Sequence, residues 1–246
     1  MDVRILHGQP ALRLGDAVVI ADLHIGCEKD FVQAGISMPD NISVIEESLK
    51  HLVKISRAGR LIILGDLKHS IAWPEEQEKT SILQLLQNLS RDIIIDIVPG
   101  NHDGDIRTML KEAGNIRFHP MKGFIYQSSY LLHGHAWPRR SFLNSEHIIL
   151  GHNHPLLELK DSLGKRWLER IWVFADLDQN KIEKLYGRQK RLPKVIIMPA
   201  FNGLVGGKAI NLEKNLLGPV TRLVNMEKSH IYSLDGTYIG ILQEIR

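Results

Sequence analysis

Five short stretches of this chain combine aspartate, asparagine and histidine in a way that suits metal binding. They are Asp22-Leu23-His24, Gly65-Asp66-Leu67-Lys68-His69, Gly100-Asn101-His102-Asp103, His133-Gly134-His135 and Gly151-His152-Asn153-His154. Carboxylate oxygen, amide oxygen and imidazole nitrogen are mixed, and no thiolate accompanies them. Such a set suits Mn, Fe, Zn or Ni better than Mg or Ca, which prefer all-oxygen shells. Two ions about 3.5–4 Å apart need an anionic ligand that reaches both. A carboxylate has two oxygens for this, and Asp66 is the natural candidate. Residues i and i+2 of a strand face one side, so Asp22 goes with His24 and His152 with His154. The glycines at 65, 100 and 151 are read as allowing tight turns. Any one stretch alone reads as surface polarity or a turn; their joint occurrence favours a metal centre.

Each stretch follows an apolar run. Asp16–Asp22, Leu61–Leu64 and Ile93–Val98 read as buried strands, and the later runs at 123–126, 129–133, 147–151 and 194–198 as further strands. Helices are expected at about Pro39–Ser56, with Ile42, Ile45, Leu49 and Leu52 on one face, at about Glu75–Leu89, and briefly at 105–113. Strands alternating with helices imply a parallel first sheet, and the later strands a second one. Ligands of open α/β sheets gather beyond the carboxyl ends of strands. The five stretches therefore converge although they span positions 22 to 154.

The chain has 246 residues, 43% hydrophobic and 24% charged, ordinary values that exclude a disordered, collagen-like or coiled-coil protein. No apolar run is long enough for a membrane span, the first residues lack a signal-peptide layout, and the single Cys27 excludes an internal disulfide. A cytoplasmic protein without membrane contact is the expectation. The net charge of +3 is uneven: residues 160–194 carry ten basic and five acidic side chains. The chain is read as one domain over 1–246, with a basic insertion at about 155–193 and a C-terminal strand hairpin at about 230–242.

In order and spacing the five stretches resemble the signature of the calcineurin-like metallophosphoesterases. The resemblance covers residues 1–154 strongly. It implies a four-layer αββα sandwich, two mixed β-sheets flanked by helices. It also implies two divalent ions, Mn2+ first, with Fe, Zn and Ni compatible. One ion would be held by Asp22, His24, Asp66 and His154, the other by Asp66, Asn101, His133 and His152. His102 would contact the phosphate and protonate the leaving group, oriented by a nearby acid taken to be Asp103. His69, three residues after Asp66, is similar to a histidine of double-strand-break-repair nucleases in the family, where it assists at the phosphate or leaving group. Pro199-Ala200-Phe201-Asn202 with Gly206-Gly207 resembles the DNA-ligase-associated phosphoesterase subgroup and its archaeal relatives.

The expected activity is hydrolysis of a phosphodiester by a metal-activated hydroxide, with nucleic acid as a candidate substrate. Lys165-Arg166-Trp167 and Arg188-Gln189-Lys190-Arg191 could meet a phosphate backbone, and Trp167, Trp172 and Tyr186 could stack on bases. The alternatives are a phosphatase or phosphodiesterase of a small nucleotide and, outside catalysis, a silent scaffold. His135, two residues past His133, is read as supporting the centre rather than ligating. No pattern speaks to oligomeric state.

Overall fold

A computed structural model of the chain describes residues 3–39, 41–71, 76–110, 115–213 and 216–245. The first sheet comprises β1 (Val3–Ile5), β2 (Leu12–Leu14), β3 (Ala17–Ala21), β4 (Arg60–Leu64), β5 (Ile94–Val98) and β6 (Ile116–Phe118), in spatial order 1 to 6. From β3 to β6 neighbouring strands are parallel, whereas β1–β2–β3 form an antiparallel edge. Helices make the crossovers: α1 (Glu28–Gln33) and α2 (Ile42–Ser56) after β3, α3 (Glu76–Ser90) after β4, and α4 (Ile106–Met109) after β5.

The second sheet contains β7 (Phe124–Tyr126), β8 (Ser129–Leu132), β9 (His147–Leu150), β10 (Pro155–Lys160), β11 (Arg166–Asp176), β12 (Lys194–Ile197) and β13 (Lys208–Ala209). Its order is β13-β10-β11-β12-β9-β8-β7, and β8, β9 and β12 run parallel. The hairpin of β14 (His230–Ser233) and β15 (Tyr238–Ile241) is attached through β11.

The strands alternate between two apolar environments, which stacks the layers. In β3 and β4, Val18, Ile20, Leu61 and Ile63 pack under Leu49 and Leu52 of α2 and Leu85 and Leu86 of α3. Their neighbours Val19, Ala21, Ile62 and Leu64 face Leu131, Ile149, Trp172 and Ile196 of the second sheet. The outer face of that sheet buries Ile148, Val173 and Val195 against Phe142 and against Ile182 of α5 (Gln179–Tyr186). Burial on both faces explains why the central strands are continuous apolar runs. Two mixed sheets flanked by helices is the architecture that the resemblance implies.

Three elements differ from expectation. Helix α1 was not foreseen; it has six residues and buries none of them, so no apolar period marks it. Helix α2 starts at Ile42 rather than Pro39. The stretch 155–193 is not an excursion from the fold. Its β11 pairs with β12 on one edge and β14 on the other, with Ile171, Trp172 and Val173 fully buried. Charge concentrated at the β10–β11 turn and around α5 masked the apolar half of that strand. Asp40, Glu75 and residues 111–113, placed in helices from sequence, lie outside the described residues.

Candidate metal centre

The five stretches leave the carboxyl ends of β3, β4, β5, β8 and β9 and meet at one edge of the two sheets. Five of the donor residues have left-handed backbones: Asp22 (φ 59°), His24 (φ 41°), Asp66 (φ 45°), His152 (φ 71°) and His154 (φ 40°). A non-glycine residue there costs on the order of 1 kcal/mol. The strand argument for pairing i with i+2 therefore does not apply, because these residues lie past the strand ends in tight turns. The turns send His152 and His154 to two different groups of donors.

Three groups have donor atoms mutually within 4.8 Å: Asp22, His24 and His154; His24, Asp66 and His102; and Asp66, His133 and His152. His24 Nε2 stands 3.3 Å from His154 Nε2 and 3.6 Å from Asp66 Oδ2. His133 Nε2 stands 3.1 Å from His152 Nδ1, 3.2 Å from Asn101 Oδ1 and 3.4 Å from Asp66 Oδ2. Asp66 thus touches both halves of the cluster. Glycine at 100 has a reason beyond turning, since a Cβ there would strike the Asp66 carboxylate.

Backbone contacts, burial and neighbouring carboxylates set the form of each imidazole in the cluster. Nδ1–H of His133 donates to the Leu64 carbonyl at 3.0 Å, and Nδ1–H of His154 to the Gly206 carbonyl at 3.0 Å. Both Nε2 atoms are thereby left facing the cluster. Burial pushes His24 and His152 down to about 4, so both rings are neutral at physiological pH. His133 moves the other way: burial opposes its charge, but Asp66 and Asp22 outweigh burial and raise it to about 9. Asp66, although buried, is held well below the usual carboxylate range by His133 and by the His102 amide. Imidazole nitrogens facing one another beside buried carboxylates form a donor set that divalent ions would occupy in place of the His133 proton. The residues present fit a pair of divalent cations.

His102 and His69 border this cluster. The His102 backbone N–H donates to Asp66 Oδ1 at 2.9 Å, and its ring Nδ1 donates to the His69 carbonyl. His102 Nε2 is left facing inward, 3.9 Å from Asp66 Oδ2. The His69 ring lies between His24, at 3.3 Å, and the Asp30 carboxylate, at 2.9 Å.

Asp103 does not orient His102. Its buried carboxylate accepts from the backbone N–H groups of Leu67 (2.9 Å), Lys68 (3.3 Å) and Gly100 (2.9 Å). It clasps the loops after β4 and β5 together, and the His69 carbonyl takes the orienting role instead. His135 lies 5.1 Å, centroid to centroid, from His133 and is pushed down to about 4 by burial.

Several contributing residues escaped the sequence reading. Asp30 sits on α1, which carried no signal. Lys68 is almost fully buried and donates to the Ser70 and Ile71 carbonyls, shaping the loop that carries His69. Asn202 donates to the Leu23 carbonyl at 2.9 Å and accepts from the Leu204 amide at 3.0 Å, so it fastens the 203–206 loop to the first ligand loop. The Pro-Ala-Phe-Asn motif was the available signal for it. Phe201 itself is a core side chain.

The proposed base-stacking set comes apart. Trp172 is buried between the sheets, Tyr186 packs edge-on against Phe142, and only Trp167, 41% exposed, is open to solvent. The basic stretch divides as well. Lys165 and Arg166 sit at the β10–β11 turn beyond the carboxyl end of β12, whereas Arg188–Arg191 precede Lys194 at its amino end.

Comparison with known proteins agrees with this geometry. The model of the family described as calcineurin-like phosphoesterase matches residues 17–201. The fold is similar to that of Pseudomonas putida nuclease MPE over 95% of this chain and 98% of that one, with TM-score 0.58 and 18% identity. A protein of unknown function from Aquifex aeolicus, AQ665, is 22% identical over 56% of this chain and 78% of its own, but its TM-score of 0.38 carries no argument. Among curated proteins none matches. No helix among the described residues is long and apolar enough to cross a membrane.

Proposed function

We propose, from the premise that this chain belongs to the calcineurin-like phosphoesterase family, that it is a two-metal phosphodiesterase acting on nucleic acid or a related nucleotide diester. One observation carries the reading: two groups of buried donors meet at the Asp66 carboxylate, with His102 directed at the same point. The mixed nitrogen and oxygen shell suits Mn2+, Fe2+, Zn2+ or Ni2+ better than Mg2+ or Ca2+, and Mn2+ is the ion to test first. Asp22, His24, Asp66 and His154 would hold one ion, and Asp66, Asn101, His133 and His152 the other. Bound there, such ions supply an activated water and offset charge on the phosphoryl oxygens.

The chain's own side chains complete the chemistry. The His69 carbonyl fixes the His102 ring, so Nε2 can give a proton to the departing oxygen. General acid assistance of this kind contributes about 10²–10⁴ in rate. Asp30 holds His69 at the rim, where it can meet the phosphate or the leaving group. Asp103 keeps the loops of Asp66 and Asn101 in register. The test is Mn2+-dependent hydrolysis of bis-p-nitrophenyl phosphate and of single-stranded DNA beside the Asp66→Asn protein. Loss of both activities in the variant is expected; equal activity in the two proteins would refute the reading. Activity on monoesters alone would transfer the assignment to a small-nucleotide phosphatase.

A further inference from the structure

Two grooves open on either side of the His69–Asp30 pair. Both residues line both grooves, so the pair forms a ridge between them. On one side a groove of about 480 Å³ carries the polar groups of Lys29, Gln33, Ser70, Glu78 and His102 beside the exposed Ile71, and is the more polar of the two. On the other, a groove of about 410 Å³ is apolar, walled by Phe31 and Ala34 of α1, by Ile36, and by Leu204 and Val205. Buried Cys27 contributes to the second groove. The grooves differ in their tie to the centre. His102 belongs to the polar groove. The apolar groove includes Gly206, whose carbonyl receives Nδ1–H of His154. Asn202, also in contact with Cys27 Sγ at 3.2 Å, holds that loop in place.

A phosphodiester carries two substituents, and a proton donor on one side decides which of them leaves. We propose that the apolar groove between α1 and the 203–206 loop is the subsite for the nucleoside that stays on the phosphate, while the departing alcohol leaves through the polar groove beside His102. The proposal rests on the phosphodiesterase reading above. In the reaction a water oxygen bonds to phosphorus as that water gives up one proton to solvent, and solvent returns one to His102 after turnover. The bond from phosphorus to the departing oxygen breaks with its electron pair on that oxygen, which takes the proton from His102. The product kept in the apolar groove is a nucleoside monophosphate. A flat Phe31 ring opposite branched aliphatic side chains suits a planar base, which stacks on an aromatic face whatever its identity. Apolar groups left open to water beside a polar centre are a common mark of a ligand site.

The test uses the full chain with Mn2+ and two diesters that share a leaving group, thymidine 5′-(p-nitrophenyl phosphate) and methyl p-nitrophenyl phosphate. The account expects kcat/KM to favour the thymidine ester by about tenfold or more, the size of one base–aromatic stack. Phe31→Ala should lower that ratio about tenfold through KM, Leu204→Ala should lower it less, and Phe31→Tyr should keep it. Helix α1 buries no residue and Leu204 is half-buried outside the core clusters, so the replacements leave the core intact. Equal use of the two diesters by the unmodified protein, or a ratio that Phe31→Ala does not move, would overturn the subsite and leave the phosphodiesterase reading standing. If neither diester is cleaved, that reading fails, and calorimetric binding of thymidine 5′-monophosphate judges the subsite alone. Binding weakened about tenfold by Phe31→Ala supports it, and binding that is absent or unaffected by the substitution refutes it.

Discussion

Two buried carboxylates on neighbouring strands, Asp96 within β5 and Asp66 just past β4, keep different company. Asp96, 1% exposed, receives the Arg60 guanidinium on one oxygen and His119 on the other. His119 in turn stacks flat on Phe124 with ring centroids 3.6 Å apart, and the Arg60 guanidinium lies 5.4 Å from the Tyr126 ring centre. Every charge in that seam has its countercharge within the chain. Asp66, 2% exposed, meets imidazoles whose ring nitrogens face one another, on a backbone that is left-handed at Asp66 itself and at four other residues of the cluster. The first arrangement is closed and holds the sheets together. The second fits cations that the chain does not itself supply, so strain and buried charge gather where the proposed chemistry would take place.

The difference can be broken from either side. Asp66→Asn should abolish Mn2+-dependent diester hydrolysis while leaving a cooperative unfolding transition, measured by activity and circular dichroism on the same sample. His102→Ala should lower kcat by about 10²–10⁴ with metal content unchanged. Asp96→Ala should do the reverse, costing about 1–3 kcal/mol in urea unfolding because it leaves the half-buried Arg60 guanidinium without its carboxylate, while activity per folded molecule stays. A loss of turnover in the folded Asp96→Ala protein would erase the distinction.

Acid sharpens the same contrast. Burial would raise the Asp96 carboxyl, but His119 and Arg60 outweigh it and hold the group below its ordinary value. A depressed folded value contributes stability above the unfolded value of about 3.9, and that contribution is lost as pH falls through the folded value. The unmodified protein should therefore lose stability below about pH 4 more steeply than Asp96→Asn does, as read from urea midpoints against pH. The smallest effect concerns Cys27. Burial pushes its thiol up to about 11, so alkylation by iodoacetamide at pH 7.5 should be slow in the folded protein and rapid in urea.

Much of the candidate centre was legible because metal chemistry, the chemistry proposed for it, constrains residue type and order more tightly than folding does. Asp22, His24, Asp66, Asn101, His133, His152 and His154 stood out by identity and by following apolar runs. Their turns did not, since nothing in Asp22 or His154 announces a left-handed backbone; it is imposed by the sheet edge on which the loops meet. Asp103 was assigned to the wrong partner because neighbours in sequence are poor guides inside a tight turn, where one carboxylate can reach three amides. The parallel strands were readable from their apolar runs. Helix α1 was silent, being short and exposed, and with it the Asp30 support of His69. The apolar half of β11 was hidden by the charges on either side of it, although Ile171-Trp172-Val173 is as buried as any strand in the first sheet.

The most direct measurement is anomalous diffraction from crystals of the protein soaked in Mn2+. The account predicts two peaks on either side of Asp66, one against Asp22, His24 and His154 and the other against Asn101, His133 and His152. A single peak, or none at that carboxylate, would contradict it.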